Sequence, residues 1–132
     1  MEVKVRQFNT KDIEVAIPMY KKEYEARGYE GMREFVIRDR FQSMIDRAPE
    51  YCFSAVNESD EVLGVVVCYF EPHYKNMDLV IDNLLIHENY RGQGIGKLLM
   101  KEVFKKAKEN NLESFTLLAD SRHEFPKSWY EK

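Results

Sequence analysis

A glycine-rich segment at residues 91–96, Arg-Gly-Gln-Gly-Ile-Gly, carries the clearest chemical signal in this sequence. An apolar, strand-like segment precedes it at residues 79–86, and a helix-like segment follows at residues 95–110. Glycine lets a ligand approach the main chain closely, and the N-terminus of a helix favours negative charge. The segment therefore predicts a cradle of backbone N–H groups for a pyrophosphate.

Two common nucleotide-binding motifs do not fit this segment. A dinucleotide fingerprint that starts at Gly92 would need a third glycine where the chain has Lys97. A P-loop needs one more residue between Gly92 and Gly96, and it needs Ser or Thr where Leu98 stands. The spacing thus argues against both classes.

The pattern that fits is Arg-x-x-Gly-x-Gly after the apolar run Leu-Leu-Ile at residues 84–86. In this order, strand, loop and helix resemble motif A of the GNAT superfamily of N-acyltransferases. The resemblance implies that the main chain of Leu84, Leu85 and Ile86 contacts the acetyl group and pantetheine arm of acetyl-coenzyme A. It also implies that the pyrophosphate is held by Arg91, Gly92, Gln93, Gly94, Ile95, Gly96 and Lys97. The alternative is a simple strand-to-helix turn.

The end of the chain resembles a second GNAT motif, motif B, which closes on Tyr-Glu-Lys. The matching residues are 130–132, although His123 and Pro126 differ from the family's usual Asn and Ala. The resemblance implies that Tyr130 is the general acid that protonates the leaving thiolate. A tyrosine is neutral at pH 7 and can donate a hydrogen bond to developing negative charge. The alternative is that Tyr130 only packs the last helix.

An amine acceptor must also lose a proton. Freeing the lone pair of an alkyl ammonium at pH 7 costs about 4–5 kcal/mol, so a base or a water chain is needed. Many GNAT members have a carboxylate on the fourth strand, and Asp82 has the same strand parity as Leu84 and Ile86, which predicts one common face. Asp82 is therefore the first candidate, with a hydrogen-bonded strand carboxylate as the alternative. The weaker candidates are Glu71, Asp78 and His87.

The resemblance implies an acceptor pocket near the first two helices. Tyr29 and Phe35 stand beside the glycine break between these helices and are the aromatic candidates for the pocket, with Glu71 as a further substrate-side residue. The resemblance implies a small-molecule or peptide amine as the partner. The formal net charge of -3 favours a cationic acceptor slightly.

The elements that position these residues follow from the hydrophobic periodicity. The sequence predicts the order β-α-α-β-β-β-α-β-α, in which the strand–helix–strand unit around the glycine loop implies a parallel pair. We expect an α/β, GNAT-like mixed sheet that is mostly antiparallel, with a splayed parallel pair at strands 4 and 5 and helices on both faces. Relative to the family, the last two strands are absent.

Composition limits the remaining possibilities. The 132 residues, of which 44% are hydrophobic, predict a single domain spanning 1–132. The 20 basic residues are spread along the chain, which does not favour nucleic acid or an anionic membrane. Cys52 and Cys68 lie in predicted strands and are expected to be buried and free. The histidines show no metal-ligand spacing, so no metal is expected, and cytoplasmic residence is the default.

The C-terminus departs from the family pattern, since no residues follow Lys132 where the family continues with two strands. We therefore expect a domain that is incomplete at its C-terminus, with the strand at residues 115–119 as an exposed apolar edge. A homodimer that covers this edge is the first expectation, because such edges pair readily. Truncation of a longer protein is the competing explanation.

These observations together predict an acetyl-coenzyme A-dependent N-acetyltransferase that works by direct attack of an amine. The alternative from another class is a catalytically silent module that binds acyl-coenzyme A as a sensor or scaffold.

Overall fold

The computed structural model describes residues 2–72, 77–112 and 114–117. The chain follows the predicted order as far as the fifth strand, with short 3₁₀ turns at Pro49–Tyr51 and Glu88–Tyr90. The helices and strands are β1 (Lys4–Gln7), α1 (Thr10–Ala26), α2 (Glu34–Arg47), β2 (Phe53–Val56), β3 (Val62–Pro72), β4 (Met77–Ile86), α3 (Ile95–Glu109) and β5 (Phe115–Leu117). The last predicted helix, at residues 126–132, lies outside the described residues.

The strands form one mixed sheet in the order β1-β2-β3-β4-β5. The first four strands are joined as antiparallel neighbours, whereas β5 runs parallel to β4. Because α3 connects β4 to β5, it forms the crossover that a parallel pair requires. The predicted fold class is confirmed: a mixed, mostly antiparallel α/β sheet with a parallel pair at strands 4 and 5.

Hydrophobic cores lie on both faces of this sheet. On one face, α1 and α2 pack through Ile13, Ile17, Ile37, Phe41 and Met44. On the other face, α3 packs through Ile95, Leu99, Val103 and Ala107. The helical spacing of these residues places each set on one side of its helix, as the sequence predicts. Helices therefore cover both faces of the sheet, and β4 lies between β3 and β5.

Local interactions decide where several of these elements begin and end. Asn9 caps α1, because its side chain accepts hydrogen bonds from the main-chain N–H groups of Lys11 and Asp12. Strand β2 begins at Phe53, because the turn at Pro49–Tyr51 uses the preceding residues. Strand β3 extends to Pro72, so Glu71 belongs to this strand.

A β-bulge in the β3–β4 pair corrects one prediction. Asn83 lies opposite Val67 and Ile81 lies opposite Cys68, so Asp82 is an extra residue in β4. Leu84 and Ile86 pack on the α3 face, whereas Asp82 bonds to α2 on the opposite face. The expectation that Asp82 shares a face with Leu84 and Ile86 is therefore wrong, because the bulge reverses the alternation of side chains.

The cysteines behave as buried apolar residues. Cys52 and Cys68 are both free and completely buried, as predicted. Burial raises the pKa of Cys52 to about 11 and raises the pKa of Cys68 well above its ordinary value. Among the described helices, none is long and apolar enough to cross a membrane.

Candidate active site

The glycine segment forms an open loop between β4 and α3. Gly92 has φ +78° and Gly94 has φ +80°, a left-handed conformation that side chains rarely adopt. A Cβ atom on either residue would meet nothing within 4 Å. Glycine is therefore required here by the backbone conformation and not by contact with neighbouring atoms. The space above the loop is open to a ligand.

The N–H groups of this loop and of the first turn of α3 form an unoccupied row. Residues 92–97 donate to no acceptor within the part of the chain that is described, and the first helical bond runs from the N–H of Leu98 to the carbonyl of Gly94 at 3.1 Å. Gly94 is the N-cap residue of α3, and no side chain accepts a hydrogen bond from the first N–H groups of this helix among the described residues. The helix dipole adds partial positive charge at the same point. This arrangement fits a phosphate or pyrophosphate.

The side chain of Arg91 faces away from that role. Its guanidinium donates to the Glu23 carboxylate of α1 at 3.3 Å. Glu23 also pairs with Arg27 on the next turn of α1. Arg91 therefore anchors the loop to α1 through its side chain, and its main-chain N–H donates to the carbonyl of Glu88 at 3.5 Å. Its predicted part in the cofactor site stays a prediction.

The end of β4 exposes main-chain groups beside this loop. The N–H of His87 donates to Leu63 of β3 at 2.8 Å, and the register places Ile86 opposite Gly64. Because bonding alternates in an antiparallel pair, the N–H and C=O groups of Leu84 and Ile86 point away from β3. Within the described residues, β5 pairs with β4 only as far as Ile81. That edge is thus available to an extended ligand rich in amides.

Gly64 on β3 lets this end of the sheet pack closely. A Cβ atom at Gly64 would lie 2.8 Å from Ile86 Cδ1, 3.1 Å from the Leu85 carbonyl and 3.2 Å from Ile95 Cγ2. The absence of a side chain therefore lets the end of β4 and the start of α3 approach β3. The sequence signal was a glycine inside a strand of β-branched residues, which often marks a close approach.

A chain of polar side chains crosses the bulge on the opposite face. The Arg40 guanidinium binds both oxygens of the Asp82 carboxylate, with Nε to Oδ2 at 3.1 Å. The Asn83 amide donates to Asp82 Oδ2 at 2.7 Å, and the Tyr24 hydroxyl donates to Asn83 Oδ1 at 3.3 Å. The bulge makes this chain possible, because it turns the neighbouring side chains of Asp82 and Asn83 to one face.

The hydrogen bonds to Asp82 bear on its candidate role as base. Its side chain is 2% exposed, and three N–H groups donate to its two oxygens. These donors occupy lone pairs of both carboxylate oxygens and fix the orientation of the side chain. The geometry therefore matches the alternative of a hydrogen-bonded strand carboxylate, and the base role stays a prediction.

The weaker base candidates have structural partners or open surroundings. Asp78 is buried and accepts hydrogen bonds from Ser114, at 2.7 Å, and from Thr116, which ties β5 to β4. His87 Nδ1 accepts from the main-chain N–H of Asn89 at 3.1 Å and so caps a turn. Glu71 is exposed near the end of β3.

A cavity of about 780 Å³ opens between α2 and the end of β3. Its lining includes Met32, Arg33, Val36, Arg40, Arg47 and Tyr69. Tyr29 and Phe35, the predicted pocket aromatics, are 59% and 62% exposed and are not among the lining residues, and neither is Glu71. The helical phase of α2 turns Val36 toward the cavity instead of Phe35. The predicted acceptor residues are thus next to the cavity in sequence but not part of its wall.

Tyr20 extends from α1 to the same cavity. Its ring stacks on Tyr24 at a centroid distance of 4.3 Å. Burial, and secondarily the neighbouring Tyr24, raise the pKa of Tyr20 to about 12. The hydroxyl of Tyr20 therefore stays protonated through the physiological range.

Tyr130, the predicted general acid, lies outside the described residues. Within residues 2–72, 77–112 and 114–117, no three His, Cys, Asp or Glu side chains are placed to hold a metal ion. What the structure brings together is the open glycine loop, the free edge of β4 and, across the bulge, the cavity beside α2.

An open glycine loop at the start of a crossover helix, beside a strand edge left unpaired by the described residues, defines an α/β protein whose geometry fits an extended phosphorylated ligand. The sequence matches the model of the acetyltransferase (GNAT) family over residues 14–131. The chain therefore belongs to the acetyltransferase (GNAT) family, and the resemblance drawn from the sequence is confirmed. A search of curated protein sequences finds no match.

Solved structures share the fold at low sequence identity. A predicted acetyltransferase with acetyl-CoA from Clostridium acetobutylicum is 19% identical, with 99% of this chain and 96% of that chain covered and a TM-score of 0.71. A GNAT family acetyltransferase from Staphylococcus aureus is 22% identical, with coverages of 96% and 93% and a TM-score of 0.68. The NatC complex bound to Gag peptide and CoA is 19% identical, with coverages of 92% and 76% and a TM-score of 0.73.

Proposed function

We propose that this protein transfers the acetyl group of acetyl-coenzyme A to an amine by direct attack. The observation that carries the proposal is the row of free N–H groups at residues 92–97, which opens at the end of the free edge of β4. Coenzyme A has a pyrophosphate next to an arm that contains amides. The pyrophosphate matches the row of N–H groups, and the arm matches the adjoining edge of β4. Family membership supports the same cofactor.

The pantetheine arm would extend along β4 as an added strand. The outward N–H and C=O groups of Leu84 and Ile86 can bond its amides, as in strand addition. The thioester carbonyl would then lie near a main-chain N–H of this segment, which would stabilise the oxyanion of the tetrahedral intermediate. The predicted cofactor contacts at residues 84–86 and 91–97 form one continuous surface in this proposal.

The reaction requires two proton movements. The neutral amine attacks the thioester carbon, the C–S bond breaks, and the thiolate leaves with a proton from Tyr130. The nitrogen releases its proton to a water chain or a carboxylate. Asp82 remains the first carboxylate candidate, but its three hydrogen bonds favour a role as a fixed anion that holds Arg40 and Asn83.

The test of the proposal is release of free thiol from acetyl-coenzyme A in the presence of amines, with acetyl-coenzyme A affinity measured separately by calorimetry. We expect tight binding together with thiol release that depends on the amine. Binding without thiol release from a broad amine panel would favour the alternative of a silent acyl-coenzyme A-binding sensor or scaffold. Absence of binding would reject both.

The role of Tyr130 has its own test. Removing the hydroxyl in Tyr130→Phe should lower kcat by about 10–100-fold, because general acid catalysis contributes at least this much. The affinity for acetyl-coenzyme A should change little, since the hydroxyl acts on the leaving sulfur. Unchanged kcat would remove Tyr130 from the mechanism.

The expected homodimer also belongs to the proposal. Phe115 on β5 is 44% exposed and packs edge-on against Phe104 of α3. A second copy that covers β5 would bury this apolar surface. Light scattering should then give twice the mass of one chain, and the monomeric mass at micromolar concentration would contradict the dimer.

A further inference from the structure

We infer that the acceptor amine carries anionic groups, and that arginines on one side of α2 select it. This inference rests on the proposed function, because it assigns the substrate class of the same site. It replaces the slight preference for a cationic acceptor that the net charge of -3 suggests. The local charge of the cavity differs from the charge of the whole chain.

The cavity beside α2 has a row of arginines on its wall. Arg33, Arg40 and Arg47 all line it and are spaced seven residues apart in the sequence. Seven residues are almost two full turns, so the arginines follow one side of the helix about 10 Å apart. Asp39 is the acidic residue among those lining the cavity. The wall therefore presents an excess of positive charge.

The arginines of this row differ in what they already bind. Arg40 is held by Asp82, which neutralises its charge within the protein. Neither Arg33 nor Arg47 has an ion pair or a side-chain hydrogen bond with any described residue. Other arginines of the chain do form pairs, as Arg38 does with Glu14. Two unpaired guanidinium groups therefore face the cavity on either side of the Arg40–Asp82 pair.

The Arg40–Asp82 pair connects the row to β4. Asp82 lies in the bulge of β4, two residues before Leu84, whose main chain would face the thioester in the proposed function. Because Arg40 lines the cavity, an acceptor in the cavity would lie beside this pair. Carboxylates on such an acceptor could then bind Arg33 or Arg47, and arginine binds carboxylates in a bidentate manner.

The ligand chemistry is thus an amine with one or more carboxylates. It fits a free acidic amino acid or a peptide with acidic residues after its N-terminus. A single amino acid can reach one end of the row, whereas a peptide can reach both ends, which are about 21 Å apart along the helix. The two sources share the same recognition, and the experiment separates them.

Binding is measured by the fluorescence anisotropy of dye-labelled pentapeptides on the protein saturated with coenzyme A. The peptides are Ala-Glu-Gly-Glu-Ala, its amide analogue Ala-Gln-Gly-Gln-Ala and the basic analogue Ala-Lys-Gly-Lys-Ala. We expect the acidic peptide to bind about five- to tenfold more tightly than the amide analogue, because each exposed charge pair contributes modestly. The preference should weaken with added salt. Equal affinities for acidic and amide peptides would overturn the inference.

The variants Arg33→Gln and Arg47→Gln should reduce the preference for the acidic peptide. The matched control is Arg38→Gln, which removes an arginine of the same helix whose side chain pairs with Glu14 outside the cavity. It should keep the full preference. A preference that survives in the Arg33→Gln/Arg47→Gln double variant would also overturn the inference.

Thiol release from acetyl-coenzyme A separates the sources and the two proposals. Faster release with glutamate than with glutamine supports a single amino acid, and a preference confined to peptides supports a peptide acceptor. Acidic preference in binding without any thiol release would refute the proposed transferase activity, and only the selection of anionic ligands by the arginines would then stand. Thiol release without an acidic preference would support the proposed transferase activity and overturn this inference.

Discussion

The two sides of β4 are built from different parts of the chain. On the glycine-loop side, the ligand surface consists of main-chain groups at residues 84–86 and 92–97, and both glycines of the loop have φ near +80°. On the cavity side, the surface consists of side chains: the Arg40–Asp82 pair, Asn83 and the arginines of α2. One side depends on backbone conformation, and the other depends on packing across the tertiary structure.

This difference predicts that the two surfaces tolerate substitutions differently. A surface of backbone N–H groups accepts any side chain that keeps the conformation, so it suits a cofactor common to a whole family. A surface of side chains changes with each substitution, so it suits an acceptor that varies between relatives. Mutations on the two sides should therefore fail in different ways.

The largest effect is expected at the loop. Gly94→Glu forces a residue with a side chain into φ +80° and adds a negative charge beside the proposed pyrophosphate. We expect calorimetry to show acetyl-coenzyme A affinity reduced by at least about 100-fold, a change on the order of 2.7 kcal/mol. The matched control is Gly28→Glu, because Gly28 has φ +94° and equally open space. Similar losses in both variants would contradict the assignment of the loop.

The next effect concerns the cavity side. Arg40→Ala leaves the buried Asp82 carboxylate without its guanidinium, and breaking a fully buried pair in this way costs about 3–5 kcal/mol of unfolding free energy. We expect about 2 kcal/mol here, because the Arg40 side chain is 48% exposed and solvent screens its charge. Arg38→Ala removes an exposed pair to Glu14 and should cost less than about 1 kcal/mol. Urea unfolding measures both.

A double variant checks the cause of that loss. Adding Asp82→Asn to Arg40→Ala removes the unpaired charge while keeping the side-chain volume. The double variant should be more stable than Arg40→Ala alone. If it is less stable, the loss does not come from the buried charge.

A third, smaller effect is expected at Gly64, where β3 packs against the end of β4 and the start of α3. Gly64→Ala places a Cβ 2.8 Å from Ile86 Cδ1 and 3.1 Å from the Leu85 carbonyl. Overpacking of this kind should cost about 1–3 kcal/mol and should also weaken acetyl-coenzyme A binding, because β4 must shift. Adding Ile86→Val removes the Cδ1 atom and should restore part of the stability. No recovery in thermal unfolding would mean that the main-chain contact dominates.

The smallest effect is a titration on the cavity side. The folded-state pKa of Tyr20 is raised to about 12, mainly by burial, above the ordinary value of about 10. A raised pKa stabilises the fold below the unfolded value, and this contribution is lost as pH rises from 10 through 12. The wild-type chain should therefore lose more stability than Tyr20→Phe across this interval. Parallel unfolding curves for the two chains would contradict the raised pKa.

Much of the fold followed from periodicity and local signals. The alternation and helical spacing of apolar residues indicated the strands and helices up to β5, and Asn9 with Asp12 marked the start of α1. The parallel pair followed from the strand–helix–strand order around the glycine loop. These features depend on neighbours in sequence, so the sequence contains the information to predict them.

The cavity side could not be predicted in the same way. Asp82 was the first base candidate, and its predicted face was wrong because a bulge depends on the pairing of two strands. Arg40 was missed because its partner is 42 residues away. Tyr29 and Phe35 were the predicted pocket aromatics, whereas the phase of α2 places Val36 on the cavity wall.

The sequence by itself determined the glycine-loop side, because glycines at fixed spacing between a strand and a helix dictate a local backbone conformation and a set of free N–H groups. Only the tertiary structure decided the cavity side, since a one-residue bulge in β4 and the packing of α2 on the sheet set which side chains meet there. Backbone conformation is a local property of the chain, whereas the juxtaposition of Arg40, Asp82 and Asn83 arises from long-range pairing.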